Sequence, residues 1–192
     1  YIDYSYRGKA ARDYIRTFDK ISENVFVVIA FSISKSMTSY GMRCGAAILM
    51  AQKEESVREV EIVFEKAARA IWSNVNNAAM ENFVTVVTDN RDAYEAEKDK
   101  YVDLLKERST IFTSEADACG LEYYPYKEGF FVTVKIDDNN VRNAYHEALM
   151  KEHIYTVMVN KGIRVAVCSL PVEKCKGLAG RMKKILDEVT AA

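Results

Sequence analysis

The sequence predicts an α/β chain in two parts. An α/β segment covers residues 1–90. A smaller α+β segment, entered by a long helix, covers residues 91–192. Three observations carry this. Two continuous apolar runs of strand length, "VFVVIAFS" (25–32) and "AAILMAQ" (46–52), lie close together and are followed by a stretch of helical periodicity. A long charged stretch without Pro or Gly then runs from about Asp92 to Gly120. Beyond it the chain alternates short strand-like and helix-like segments, the pattern of an α+β unit.

In order along the chain, "YIDYSYRG" opens without a methionine or a helix cap, as if inside a strand of a longer protein. The run at 25–32 is apolar up to Ser32 and rich in β-branched residues, which suits a strand buried on both faces, as in parallel sheets. Residues 46–52 read as a second buried strand, and the polar loop between them holds Lys35 and Arg43. From Glu54, Val57, Val60, Ile62, Val63, Phe64 and Ala67 recur at helical spacing. An Asn-rich break at "SNVNN" precedes a shorter helix. The long charged helix follows and stops at Gly120, a residue suited to the left-handed position past a helix end. "EGFFVTVKI" (128–136) alternates like a half-exposed strand. "DDNNVRNAYHEALMKEH" opens on capping residues and continues as a helix. "IYTVMV" and "GIRVAVCSL" read as two strands that could pair, and Pro171 starts a final helix.

Composition narrows the function. With 192 residues, 49% of them hydrophobic, the chain can bury one sizeable core or two small ones. A net charge of −1 gives no basic face for nucleic acid and no case for a membrane-surface patch. No stretch reaches the roughly 18 apolar residues of a spanning helix, and the first residues lack the features of a signal peptide. Cys44, Cys119, Cys168 and Cys175 form no C-x-x-C pair, so reduced thiols of a cytoplasmic protein are expected. His146 and His153, seven apart on one expected helix, share a face but have no third ligand, so no metal is expected. Tyr123, Tyr124 and Tyr126 beside Pro125 read as packing.

Lys35 is the chemical centre. A lysine attacks a carbonyl only as the neutral amine, so such a residue is desolvated or set near other cations. A loop directly after a buried strand is where α/β proteins place ligand-binding groups. Here Ser32 and Ser34 flank Lys35 and Arg43 follows, a hydroxyl and guanidinium set suited to phosphate.

The string S-x-S-K-x-x-x-x-Y-G-x-R-x-G (Ser32, Ser34, Lys35, Tyr40, Gly41, Arg43, Gly45) resembles the cofactor-lysine segment of the aspartate and aromatic aminotransferases, fold-type I enzymes that use pyridoxal 5′-phosphate. The resemblance implies that Lys35 holds the cofactor as a Schiff base and shuttles the substrate proton. Ser32 and Arg43 would then anchor its phosphate. "IDYSYRG" is similar to the family's D-x-A-Y segment, with Ser5 in place of alanine. It puts Asp3 at the cofactor's ring nitrogen and Tyr6 at its ring oxygen. "ARAIWSN" is similar to R-A-x-Y-S-N, with Trp72 for tyrosine and "SNVNN" for S-N-P-P. It places Arg69 where family members keep the arginine for a distal substrate carboxylate, reached across a homodimer. "NKGIRVAVCSLP" resembles the late G-R-x-x-x-A segment, with Ile163 inserted between Gly162 and Arg164. It makes Arg164 the clamp on the substrate's α-carboxylate. From the residues alone, the Arg164 charge at the start of an apolar strand needs either a ligand carboxylate or a structural Asp or Glu.

The resemblance covers nearly the whole chain and matches the later half of such an enzyme. Residues 1–90 would then be the later part of the large-domain sheet and 91–192 the small C-terminal domain. The family's phosphate loop, ring-stacking aromatic and ring-oxygen asparagine lie upstream of Asp3. The expected reaction is transfer of an amino group between an amino acid, of aspartate or aromatic type, and a 2-oxo acid. Two alternatives stay open. One is a lyase or decarboxylase on the same scaffold, recognised by product formed without a 2-oxo acid acceptor. The other is a non-catalytic folded scaffold, recognised by a folded, cofactor-free oligomer.

Overall fold

β-Branched residues fix the first strand, β1 (Val27–Ser32), and the Ala and Ile run from Gly45 fixes the second, β2 (Gly45–Met50). The structure is a computed structural model that describes residues 16–191. Its elements continue with a helical turn α1 (Ile33–Ser36) between the two strands. Then come helices α2 (Glu54–Ile71), α3 (Asn77–Thr88) and α4 (Arg91–Cys119). Strand β3 (Phe131–Lys135), helix α5 (Asn139–Lys151) and strands β4 (Val157–Val159) and β5 (Gly162–Ala166) follow. Helices α6 (Val172–Cys175) and α7 (Leu178–Ala191) end the chain. It divides into two compact units, described here over 16–98 and 99–191, with the division inside α4.

In the first unit β1 and β2 pair antiparallel, from Val27 opposite Met50 to Ser32 opposite Gly45. This corrects the expectation of strands buried as in a parallel sheet. Residues 33–44 fold into tight turns that return the chain directly alongside β1, which closes an antiparallel pair. An apolar run encodes a need for burial but not a strand direction. The burial also differs from expectation: Val28 is 48% exposed and Ile48 46%. The expected helix at 54–71 forms, but it buries none of its residues completely, and Ile62, Val63 and Phe64 are exposed.

The second unit has a closed core. Its sheet has the order β3-β5-β4, antiparallel throughout. Val132, Val134, Ile163 and Val165 point inward and are at most 3% exposed. They pack with Leu105, Phe112 and Ala116 of α4, Tyr145 and Leu149 of α5, and Met182 and Ile185 of α7. Each such aliphatic side chain contributes about 1.5–3 kcal/mol of burial. The Tyr145 hydroxyl, buried, donates to the Met182 carbonyl at 2.9 Å, and burial raises its pKa.

Several sequence signals act as expected. Asp138 caps α5, accepting from the backbone N–H groups of Asn140 and Val141 at 2.7 and 2.9 Å. Gly120 ends α4 at φ +73°. Two expectations are corrected. His153 does not share a helix face with His146, because α5 ends at Lys151 and His153 turns to φ +58°. The final helix is two helices, because Gly177 at φ +75° breaks it between α6 and α7. The Gly177 N–H there donates to a Glu115 carboxylate oxygen at 2.7 Å.

Candidate functional site

The loop from Ser32 to Gly45 is clamped at both ends. At its mouth the Ile33 N–H donates to the Cys44 carbonyl at 3.4 Å, and Ile33 itself is 2% exposed, a hydrophobic anchor beneath the loop. The Ile33 carbonyl accepts from both Met37 and Ser39, at 3.2 and 3.4 Å, which closes α1 on itself. Lys35 therefore lies in a helical turn whose backbone is fixed on both sides. Ser32 Oγ accepts from the Ser34 N–H at 3.3 Å, and Ser34 is buried. The expected open loop is thus a pair of tight turns, α1 and a 3-10 turn at Tyr40–Met42.

Arg43 follows that turn in the left-handed region, at φ 53°. Its guanidinium Nη1 donates to the Tyr40 carbonyl at 2.9 Å, and its guanidinium carbon lies 5.3 Å from the centre of the Tyr40 ring. Ring and carbonyl together hold the cation on the loop that carries Lys35. Gly45, the last residue of the string, has a steric role. A Cβ there would lie 2.5 Å from the Phe31 carbonyl oxygen, so the strands can close at the base of the loop only around glycine.

Sequence reasoning missed Asn76. Its Oδ1 accepts from the Ala79 N–H at 3.2 Å, capping α3, while its Nδ2 donates to the Met42 carbonyl at 3.3 Å. One side chain starts a helix and pins the Lys35 loop. The Asn-rich break was the visible signal, and it marked the cap but not the tether.

Arg69, near the end of α2, donates from Nη1 to both the carbonyl and the hydroxyl of Ser73, each at 2.9 Å. Ser73 takes φ +67°, which bends "WSN" back toward the arginine. Trp72 beside it is 67% exposed.

Arg164 belongs to the second unit. Residues alternate across β5, so with Ile163 and Val165 in the core Arg164 lies on the opposite face. It stands opposite Thr133 on one side and Val157 on the other, at the middle of the sheet. Its guanidinium carbon lies 4.4 Å from the centre of the Phe131 ring. Among the described residues no carboxylate pairs with it, so the structural Asp or Glu left open by the sequence is not found there.

Ser32, Lys35 and Arg43 lie along the same short stretch, 32–45, of the first unit. Arg69 is hydrogen-bonded to Ser73, and Arg164 sits on the sheet of the other unit. Asp3 and Tyr6 lie outside the described residues. Among the described residues no three His, Cys, Asp or Glu side chains group to hold a metal, and no helix is long and apolar enough to cross a membrane.

Comparison with known proteins agrees on one family. The family model described as aminotransferase class I and II matches residues 1–182. An aminotransferase from Anaerococcus prevotii is 34% identical, with a TM-score of 0.87 over 94% of this chain and 44% of its own. The aromatic-amino-acid aminotransferase from Burkholderia pseudomallei, solved covalently bound to pyridoxal phosphate, is 21% identical, with a TM-score of 0.65 over 96% of this chain and 47% of its own. Aspartate aminotransferase from Trypanosoma cruzi is 18% identical, with a TM-score of 0.69 over 95% of this chain and 47% of its own. The last two show the shared fold alone. The chain spans less than half the length of each of these structures. No curated protein sequence matches it.

Proposed function

The chain belongs to the aminotransferase class I and II family, and on that basis we propose that the protein transfers an amino group between an amino acid, of aspartate or aromatic type, and a 2-oxo acid, with pyridoxal 5′-phosphate as cofactor. The observation that carries the reading is the clamped loop at 32–45, with a lysine, serine hydroxyls and a preoriented arginine on one short stretch.

The donor set fits the cofactor. Ser32 and Arg43 supply a hydroxyl and a guanidinium for a phosphate dianion, and the Tyr40 ring restrains the guanidinium before any ligand arrives. Lys35 supplies the primary amine that holds the cofactor's carbonyl carbon. The bound cofactor supplies an electron-withdrawing ring that stabilises negative charge on the substrate Cα. With the cofactor bound, Lys35 would be the base that takes the proton from the substrate Cα. The amine must be neutral for this. Asp3 and Tyr6 keep the roles that the resemblance gives them, a carboxylate at the ring nitrogen and a phenol at the ring oxygen.

Arg164 binds the substrate's α-carboxylate, and its guanidinium, which has no ion pair among the described residues, supports that role. Arg69 binds a distal carboxylate across a homodimer. The four free thiols support a reducing, cytoplasmic setting.

Lys35→Ala in the full-length protein tests the assignment. Turnover should fall by about three orders of magnitude or more, the scale of removing a covalent and proton-transferring amine, with the thermal midpoint retained. Turnover within a few-fold of the parent would contradict it.

A further inference from the structure

We propose that Phe131 is a positioning residue for substrate binding. Its ring is the platform that fixes the plane of the Arg164 guanidinium and leaves its hydrogen-bonding edge free for a carboxylate. The inference rests on the reading of Arg164 as the arginine for the substrate α-carboxylate.

The register of the sheet builds the platform. Phe131 pairs with Ala166, and Arg164 pairs with Thr133, so the two side chains are diagonal neighbours on the same face. Ala166, opposite the ring, has no bulk beyond Cβ, and this leaves space for the arginine to lean across. The result is a guanidinium carbon 4.4 Å from the ring centre, well inside cation–π range. Phe130 braces the ring from the edge, with centroids 6.3 Å apart and planes at 79°. Thr133 and Val157 stand on either side of Arg164.

The mode of holding is the key point. An arginine fixed by an ion pair spends its N–H fork on the partner. Arg43 and Arg69 each commit Nη1 to a backbone carbonyl, of Tyr40 and Ser73. Among the described residues Arg164 has neither a hydrogen bond nor an ion pair, only the ring. A contact with a ring spends no N–H on a partner, so the donors of the guanidinium stay available for a bidentate carboxylate. Prior ordering on the ring also lowers the conformational entropy lost when substrate binds.

The test uses the full-length protein loaded with pyridoxal phosphate and four variants: Phe131→Leu, Phe131→Tyr, Arg164→Ala and the double variant of Phe131→Leu with Arg164→Ala. KM and kcat for the amino-acid substrate, pyridoxal phosphate affinity and the thermal midpoint are measured for each. Phe131→Leu should raise KM roughly threefold to tenfold, the range of one cation–π contact, with kcat and cofactor affinity near the parent values. Phe131→Tyr keeps the ring and should keep the parental KM. In the Arg164→Ala background, Phe131→Leu should add nothing. A parental KM for Phe131→Leu beside a raised KM for Arg164→Ala would overturn the platform alone. An equal rise in the Leu and Tyr variants, or an additive double variant, would assign the effect to packing and also overturn it. An unchanged KM for Arg164→Ala would overturn the carboxylate reading beneath it.

Discussion

A methyl group on Gly45 would sit 2.5 Å from the Phe31 carbonyl oxygen, and both partners are backbone in paired strands. Neither can move without opening the base of the Lys35 loop. Gly45→Ala should therefore destabilise the protein by about 1–3 kcal/mol, the usual cost of overpacking a site that cannot relax, and weaken its pyridoxal phosphate affinity. Thermal unfolding and a cofactor titration of the full-length variant check this, and a parental result in both would contradict the steric account. At this scale the sequence is informative where residues are close in the chain: Ser32, Lys35 and Arg43 share the stretch 32–45 by position alone. It was silent where a role depends on register. Nothing in "EGFFVTVKI" tells which phenylalanine lies under Arg164, because that contact is made diagonally across two strands far apart in the chain. The Arg69 contact with Ser73 was equally hidden, since it needs the left-handed turn at Ser73.

Helices announced their ends better than strands announced their partners. Asp138 and Gly120 act as cap and stop because a capping carboxylate and a left-handed glycine are local signals. Asp138→Ala should cost about 1 kcal/mol, since two backbone N–H groups at the start of α5 lose their acceptor. The change would appear as a lower thermal midpoint, and restoring the cap with Asp138→Asn should recover most of it. An unchanged midpoint in the alanine variant would show the cap contributes nothing. The break at Gly177 was missed because glycine within an apolar periodic stretch is compatible with a continuous helix. What decides the break is the distant Glu115, whose carboxylate takes up the Gly177 N–H. The antiparallel pairing of β1 with β2 was missed for a similar reason: direction is set by the turns at 33–44, not by the run itself.

The two units differ in how their apolar residues are covered. The second closes a core around Val132, Val134, Ile163 and Val165, each nearly inaccessible. In the first, Ile33 and Ala79 are the apolar residues fully buried among those described, while Val28, Phe31 and Ile48 stay exposed on a two-stranded sheet. Isolated pairs of strands are marginal in water. In hydrogen exchange on this chain, the amides of β3 and β5 should outlast those of β1 and β2. Equal protection in both sheets would contradict this account of the fold. The central claim remains that Lys35 is the residue that holds the cofactor. The most direct measurement loads the full-length protein with pyridoxal phosphate, reduces it with borohydride and maps the modified residue by mass. A single stable label on Lys35 is the predicted result. A label on another lysine, or none, would contradict it.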